Sequence, residues 1–538
     1  MMNNESYYKE AMDKDKSMGR TSPVDMKKQI FCNRTLNMKS IIAVGFDMDY
    51  TLAQYKSETF ETMAYHGTVK KLVYDLGYPK ELLQWNFDWN YMVRGLVLDK
   101  RRGNFLKMDR HKYVKLAYHG FSELPRQERS ATYGNSPFQQ AYDEPDYALI
   151  DTLFSLAEAY LFAQLVEFID EYPEKIPPAA RAKSDGELSI PFNFSQVYKD
   201  IRAAVDLCHR DGTLKQAVAE QPSKYIHFDP LLLPMLKMLR ESGRLTFIVT
   251  NSLWDYTNVV MSYLCRNSEL DKINSSNFDW LNYFDLVITG SAKPGFFAEE
   301  KRCGFFEVDI SSGMLMNTDN GTPLPQVGDV DFRRFSASKN GIKQPCRVFQ
   351  GGKVQHLHRL LGIESGSQVL YIGDHIYGDI LRSKKKPGWR TMLVIPELEQ
   401  ELELFHQTIP TRKELRLLRE KRDIIEDQIE QLNFDIRSSK YSDDNHKAAL
   451  SKKEGLEAER DRIRDLHRDI LRKCHVKFHE TWGQLMQTGY QSSRFANQVE
   501  RFACLYTSQV TNLCYYSTEK SFRTTEDFMP HELKSLEI

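Results

Sequence analysis

Two carboxylates, Asp47 and Asp49, stand one residue apart in Phe46-Asp47-Met48-Asp49-Tyr50-Thr51-Leu52. They follow an apolar run, Ile41-Ile42-Ala43-Val44-Gly45-Phe46, which reads as a buried strand. Two negative groups held this close repel each other and are costly to desolvate. A divalent cation removes that cost, and Mg²⁺ takes oxygen ligands of this kind. The pair also offers a carboxylate nucleophile and a second carboxylate for proton transfer. Taken alone, the motif reads more simply as a loop with two solvated acids.

Three further segments change that reading. Leu245-Thr246-Phe247-Ile248-Val249 runs into Thr250-Asn251-Ser252. Phe284-Asp285-Leu286-Val287-Ile288 precedes Ser291-Ala292-Lys293-Pro294. Gln368-Val369-Leu370-Tyr371-Ile372 runs into Gly373-Asp374-His375, with Asp379 beyond. A fourth apolar run, Arg390 to Ile395, ends at Pro396. Short apolar runs separated by helical stretches predict parallel strands with crossover helices. In such sheets the ligand sits at the carboxyl ends of the strands, where all these polar groups fall.

Together they suit phosphoryl transfer. Asp47 is placed to attack phosphorus, and Asp49 to protonate the leaving oxygen and then activate water. Thr250 and the backbone beside it are placed to hold phosphate oxygens, with Asn251 among the catalytic residues and Ser252 touching substrate. Lys293 is placed to neutralise charge on the phosphoryl group and on Asp47. Asp374 would complete a Mg²⁺ site with Asp47. Asp379 reads as an orienting acid rather than a direct ligand.

The 538 residues carry a net charge of −1, which argues against a nucleic-acid partner. No run of about eighteen apolar residues predicts a membrane span. The eight cysteines are scattered with no CxxC pair, which fits free thiols and a cytoplasmic protein. His356 and His358 read as an ordinary helix face. Residues 1–38 read as a flexible lead-in without a signal-peptide core. Residues 39–55 and 228–405 read as an α/β core, and 56–227 as an inserted, mainly helical cap with helical stretches at Tyr147–Asp170 and Phe194–His209. Phe305 to Phe349 reads as hairpins and loops. From 411 to 475 the spacing of Leu415, Leu418, Ile425, Ile429, Leu432 and Ile436, then Leu456, Ile463, Leu466 and Ile470, predicts a charged helical hairpin. Thr411-Arg412-Lys413-Glu414 reads as its capping box. The hairpin reads as a structural protrusion or an oligomer contact, which leaves room for a homo-oligomer. Residues 476–538 are expected to pack back on the core.

The stretches FDMDYTLAQYKS, the strand with TNS, AKP with Lys293, and YIGDHIYGDILRSKK resemble the haloacid dehalogenase superfamily, and within it the cytosolic purine 5′-nucleotidase family. The likeness runs from about Phe31 to Glu401 and resumes near Trp482. It implies a Mg²⁺-dependent phosphatase with a Rossmann-like core, an inserted cap, and a nucleoside able to replace water as acceptor. It also implies Asp49 as a metal ligand through its backbone carbonyl. It carries over Phe154, Arg202, Asp206, His209 and Lys215 as residues holding a purine base and sugar, with IMP or GMP as the substrate type. Arg202 and Asp206 read equally as an i,i+4 pair on a helix face. Arg210 stands where the family has an aromatic residue. An effector site would fall on Asp151, Tyr377, Lys385, Gln498 and Phe502, where Asp151 replaces an amide and Phe502 lacks a hydroxyl. The charged hairpin departs from the animal enzymes and looks more like a plant and microbial branch. Two other readings stay open: a phosphatase of the same fold for another small phosphate ester, and a non-catalytic interaction protein built on the hairpin.

Overall fold

The computed structural model describes residues 25–134, 142–180, 193–266, 278–298, 304–318, 346–438 and 443–526. Cys303, most of the lead-in and most of the stretch between Phe305 and Phe349 lie outside them. The chain divides into two compact units, one of Met1–Gln54, Ile226–Glu399 and Phe502–Ile538, the other of Tyr55–Tyr225 and Gln400–Arg501.

A ten-stranded mixed sheet forms the first unit. Its strands are β1 (Phe31–Cys32), β2 (Ala43–Phe46), β3 (Leu245–Val249), β4 (Leu286–Thr289), β5 (Phe305–Val308), β6 (Leu315–Asn317), β7 (Arg347–Gly351), β8 (Val369–Gly373), β9 (Arg390–Val394) and β10 (Leu505–Thr507). Their order is β1-β10-β9-β8-β2-β3-β4-β7-β5-β6. The strands from β10 to β7 in that order are parallel. β1 on one edge and β5 with β6 on the other are antiparallel. Phe31 and Cys32, expected in a lead-in, are thus hydrogen-bonded into the sheet.

β2 is central, and all four of its residues are buried, as a parallel strand covered on both faces requires. Gly45 is needed there, because a Cβ would lie 2.2 Å from the Phe247 ring on β3. Behind these strands Phe247, Ile288, Phe297, Phe349, Tyr371 and Trp389 form a hydrophobic core. The two expected histidines lie on helix Val354–Leu361, and His358 Nε2 accepts from Trp389 Nε1 at 2.8 Å.

The second unit holds helices α1 (Ser57–Asp75), α2 (Ser155–Glu171), α3 (Ser195–Arg210), α4 (Ile409–Arg437) and α5 (Asp443–Phe478). It also holds a five-stranded antiparallel sheet, in the order Ser122–Glu123, Val114–His119, Asn104–Met108, Leu96–Asp99 and Tyr147–Ile150. The segment expected as helix from Tyr147 to Asp170 therefore begins as a strand. Tyr147 to Ile150 alternate between half-buried and buried and pair with Leu96–Asp99, so a partner strand overrides the local apolar density.

α4 and α5 pack as the expected hairpin over Ile425, Ile429 and Ile463, with Leu418 and Leu456 alongside. Arg464–Glu426 at 2.8 Å and Lys421–Glu459 at 3.2 Å cross it. The capping box at Thr411 is not formed. α4 starts at Ile409 with Pro410 in its first turn, where no amide N–H is required. Thr408 precedes it, its hydroxyl donating back to the Leu404 carbonyl. Of the C-terminal segment, residues up to Arg501 belong to this unit, where Arg94 stacks over the Phe495 ring and Arg494 pairs with Asp151 at 3.3 Å. The seven described cysteines are free thiols, and no described helix is long and apolar enough to cross a membrane.

Candidate active site

β2 ends one residue before Asp47, whose backbone N–H still donates to the Ile372 carbonyl on β8 at 2.8 Å. The carboxylate therefore projects from the carboxyl end of the central strand. Its Oδ1 accepts from the Met48 N–H at 2.7 Å and pairs with Lys293 Nζ at 2.8 Å. Lys293 Nζ also meets Asp379 Oδ1 at 2.7 Å and the Tyr371 hydroxyl at 3.1 Å. Tyr371 in turn donates to the Val249 carbonyl at 3.0 Å, so its oxygen is oriented to receive the ammonium.

The loop carrying Lys293 is clamped by Asn251. Its Oδ1 accepts from the Lys293 N–H at 2.6 Å and from the Ser291 hydroxyl at 3.0 Å, and its Nδ2 donates to the Lys293 carbonyl at 3.3 Å. Ala292, between them, takes φ +54°, a conformation a side chain adopts only under constraint. Thr250 is fully buried, and its hydroxyl oxygen accepts from the Ser252 N–H at 3.1 Å. Ser252 Oγ then donates to Asp49 Oδ2 at 2.9 Å, tying the second carboxylate to the end of β3.

Gly373 ends β8. A Cβ there would stand 2.5 Å from the Asp379 carboxyl carbon, so glycine is what lets Asp379 come in. Asp379 Oδ2 accepts from the His375 N–H at 3.2 Å while its Oδ1 holds Lys293. His375 Nδ1 accepts from the N–H groups of Tyr377 and Gly378, which turns that nitrogen onto its own loop.

Oxygens of Asp47, Asp374 and Asp379 lie within 4.8 Å of one another, and all three residues are buried. Lys293 offsets one of these charges. Burial therefore pushes the Asp47 carboxyl well above its ordinary range against the pull of Lys293, with Asp379, Asp374 and Asp49 adding to the rise. Burial alone would lower the Lys293 ammonium, but Asp379 and Asp47 outweigh it and hold it well above its usual value. A buried site with this excess of negative charge and an all-oxygen donor set fits a hard divalent cation.

Asp47, Asp49, Thr250, Asn251, Ser252, Lys293, Asp374 and Asp379 are all residues of the first unit. Phe154, Arg202, Asp206, His209 and Lys215 are residues of the second. There Phe154 and His209 meet edge to face at 5.9 Å. Arg202 and Asp206 share α3, but they lie 3.8 Å apart. The stronger partner of Arg202 is Glu158 on α2, at 2.6 Å and 1% exposed. Arg202 balances a carboxyl that burial drives upward. Lys215 lies on the next helix, Thr213–Glu220. Sequence reasoning missed Glu158 and Tyr371. The one signal for Glu158 is a lone acid in the apolar run Leu156-Ala157-Glu158-Ala159. Tyr371 is indistinguishable in sequence from a core aromatic.

The profile of the 5′ nucleotidase family matches residues 30–534. A 5′-nucleotidase domain-containing protein of Dictyostelium discoideum is 26% identical over 509 residues, covering 94% of this chain and 75% of the relative.

Proposed function

Because the chain belongs to the 5′ nucleotidase family, we propose that it is a Mg²⁺-dependent phosphatase of nucleoside 5′-monophosphates, of the IMP or GMP type, working through an aspartyl phosphate. The observation that carries this reading is the fixed carboxylate of Asp47, bonded to Lys293 at 2.8 Å at the end of the central strand, with Asp49 anchored to Ser252.

Asp47 attacks phosphorus and forms the acyl phosphate. Asp49 gives its proton to the departing ribose oxygen and then takes one from the attacking water. A nucleoside hydroxyl can replace that water, which makes the same enzyme a phosphotransferase. Lys293, held by Asp379, Tyr371 and the Asn251 clamp, neutralises charge on the phosphoryl oxygens. Asp47 and Asp374, with the Asp49 main-chain carbonyl, would hold Mg²⁺. When bound, that ion supplies charge neutralisation to the phosphoryl group. Asp379, which meets the Lys293 ammonium at 2.7 Å and the His375 N–H at 3.2 Å, orients Lys293 in this reading.

The base preference rests on Asp206. Its side chain is 57% exposed and only loosely held by Arg202, which Glu158 claims first. A carboxylate so placed can accept from the N1–H of a 6-oxopurine, which adenine lacks. The test is phosphate release over nucleoside monophosphates and sugar phosphates, with Mg²⁺ and after EDTA. IMP and GMP should lead the panel. Asp206→Ala should cut their kcat/KM by roughly ten- to a hundred-fold, the value of a hydrogen bond to a charged group, and spare p-nitrophenyl phosphate. Preference for pyrimidine nucleotides or sugar phosphates would overturn the substrate assignment.

A further inference from the structure

A cavity of about 230 Å³ lies within the second unit, where α5 meets the antiparallel sheet and residues 482–489. Lys107, Lys115, His475, Trp482, Gln484 and Thr488 contribute to its wall. None of these residues is used by the chemistry above.

The wall is rich in donors. Lys107 is 5% exposed, and its ammonium donates to the main-chain carbonyls of Trp482 and Gln484. Among the described residues no carboxylate pairs with it. The charge of Glu401 acts on it, but the Glu401 oxygens accept from the N–H groups of Leu485 and Met486 at 2.7 and 2.8 Å. Burial accordingly lowers the Lys107 ammonium to about 8. Trp482 is 1% exposed and its indole N–H finds no partner among the described residues. Thr488 is 4% exposed, and its hydroxyl is likewise unpartnered. The side-chain oxygens of Gln484 and Gln487 both accept from Arg412, at 2.6 and 3.1 Å, which leaves their NH₂ groups as the remaining donors.

Buried donors without acceptors are costly, and a buried ammonium without a counter-charge is costlier still. The Trp482 indole N–H and the Thr488 hydroxyl, unpartnered among the described residues, together with a Lys107 ammonium that has carbonyl partners but no counter-charge, therefore call for an acceptor that carries negative charge. Of the remaining wall, Lys115 is paired with Asp109 at 3.1 Å and His475 Nε2 bonds the Thr481 carbonyl at 3.0 Å, and Leu116 and Leu471 supply its apolar part. The volume falls below the roughly 300 Å³ at which drug-sized sites begin, which suits a small ligand.

We propose that this cavity binds a small organic carboxylate, its anionic head against Lys107 and the Trp482 indole N–H and its apolar body against Leu116 and Leu471. Such a ligand would tie the base of the hairpin to the sheet, at a site separate from the catalytic residues.

The test is titration of the full-length protein with sodium isovalerate and sodium benzoate. The ¹H–¹⁵N signal of the Trp482 indole is followed, picked out from the six tryptophans by its loss in Trp482→Phe. Saturable downfield movement is expected, with the dissociation constant at least tenfold weaker in Thr488→Val and in Lys107→Met. Thr488→Val alters one hydroxyl and keeps the shape, so it remains informative if Lys107→Met fails to fold. The proposal is overturned if the signal does not move, if benzamide or sodium chloride moves it equally, or if Thr488→Val binds as well as wild type. Movement with inorganic phosphate alone would overturn the organic carboxylate.

Discussion

At the scale of single residues, the site is a balance of charge that each substitution disturbs in a definite direction. Under the proposed mechanism Asp47→Asn cannot form the acyl phosphate, so turnover should fall about a thousand-fold or more. Its effect on stability should run the other way. The amide removes one of the crowded buried carboxylates, so the metal-free variant should melt no lower than wild type at neutral pH. Wild-type turnover in purified Asp47→Asn would sink the covalent mechanism. Asp379→Asn leaves the proposed nucleophile in place but loosens Lys293, which loses a charged partner at 2.7 Å. Its kcat should fall by roughly ten- to a hundred-fold with KM little changed, because Lys293 acts on charge that develops during transfer. A pure KM effect would show instead that Asp379 serves substrate binding.

At the scale of elements, the packing of β2 on β3 decides where Asp47 points. Gly45→Ala would drive a methyl to 2.2 Å from the Phe247 ring, which must then move within a buried hydrophobic core. Overpacking of this kind costs about 1–3 kcal/mol, readable in urea unfolding. An unchanged midpoint would mean that β2 shifts freely, against its pairing with both neighbours. Elements of this sort were the legible part of the sequence. Continuous apolar runs ending in Asp47, Thr250 and Asp374 announced buried parallel strands, and their polar ends announced the site. The strand at Tyr147–Ile150 was not legible, because its partner, Leu96–Asp99, is distant in sequence. The start of α4 was misread because Thr411 looked like a cap while Pro410 had already opened the helix. The Glu158–Arg202 pair was hidden for a similar reason. A pattern within one helix shows Asp206 as the partner of Arg202, whereas the closer carboxylate comes from α2. Asn251 was recognisable as part of a strand-end motif, but not as the clamp on the Lys293 backbone, which only the adjacency of β3 and β4 creates.

At the scale of the whole molecule, the chain passes between its two units four times, at 54/55, 225/226, 399/400 and 501/502. Each unit nevertheless has its own core, and their sources of stability differ in kind. The candidate metal ligands belong wholly to the first unit, whereas the hairpin core of Ile425, Ile429 and Ile463 belongs to the second. A ligand that binds only the folded state stabilises by RT ln(1 + [L]/Kd), about 2.7 kcal/mol at a hundred times Kd. Mg²⁺ should therefore raise the melting of the first unit. Ile429→Ala removes a side chain that is 3% exposed and should cost the second unit about 2–4 kcal/mol. Scanning calorimetry of wild type and Ile429→Ala, each with EDTA and with Mg²⁺, separates the two effects. If the units melt independently, Mg²⁺ shifts one transition and Ile429→Ala the other. If they melt as one cooperative system, both perturbations move a single transition and their effects add, since the sites share no side chains. In either case Mg²⁺ must move a transition in wild type. A thermogram identical in EDTA and saturating Mg²⁺ would remove the cation from the acidic site, whatever the state of the hairpin.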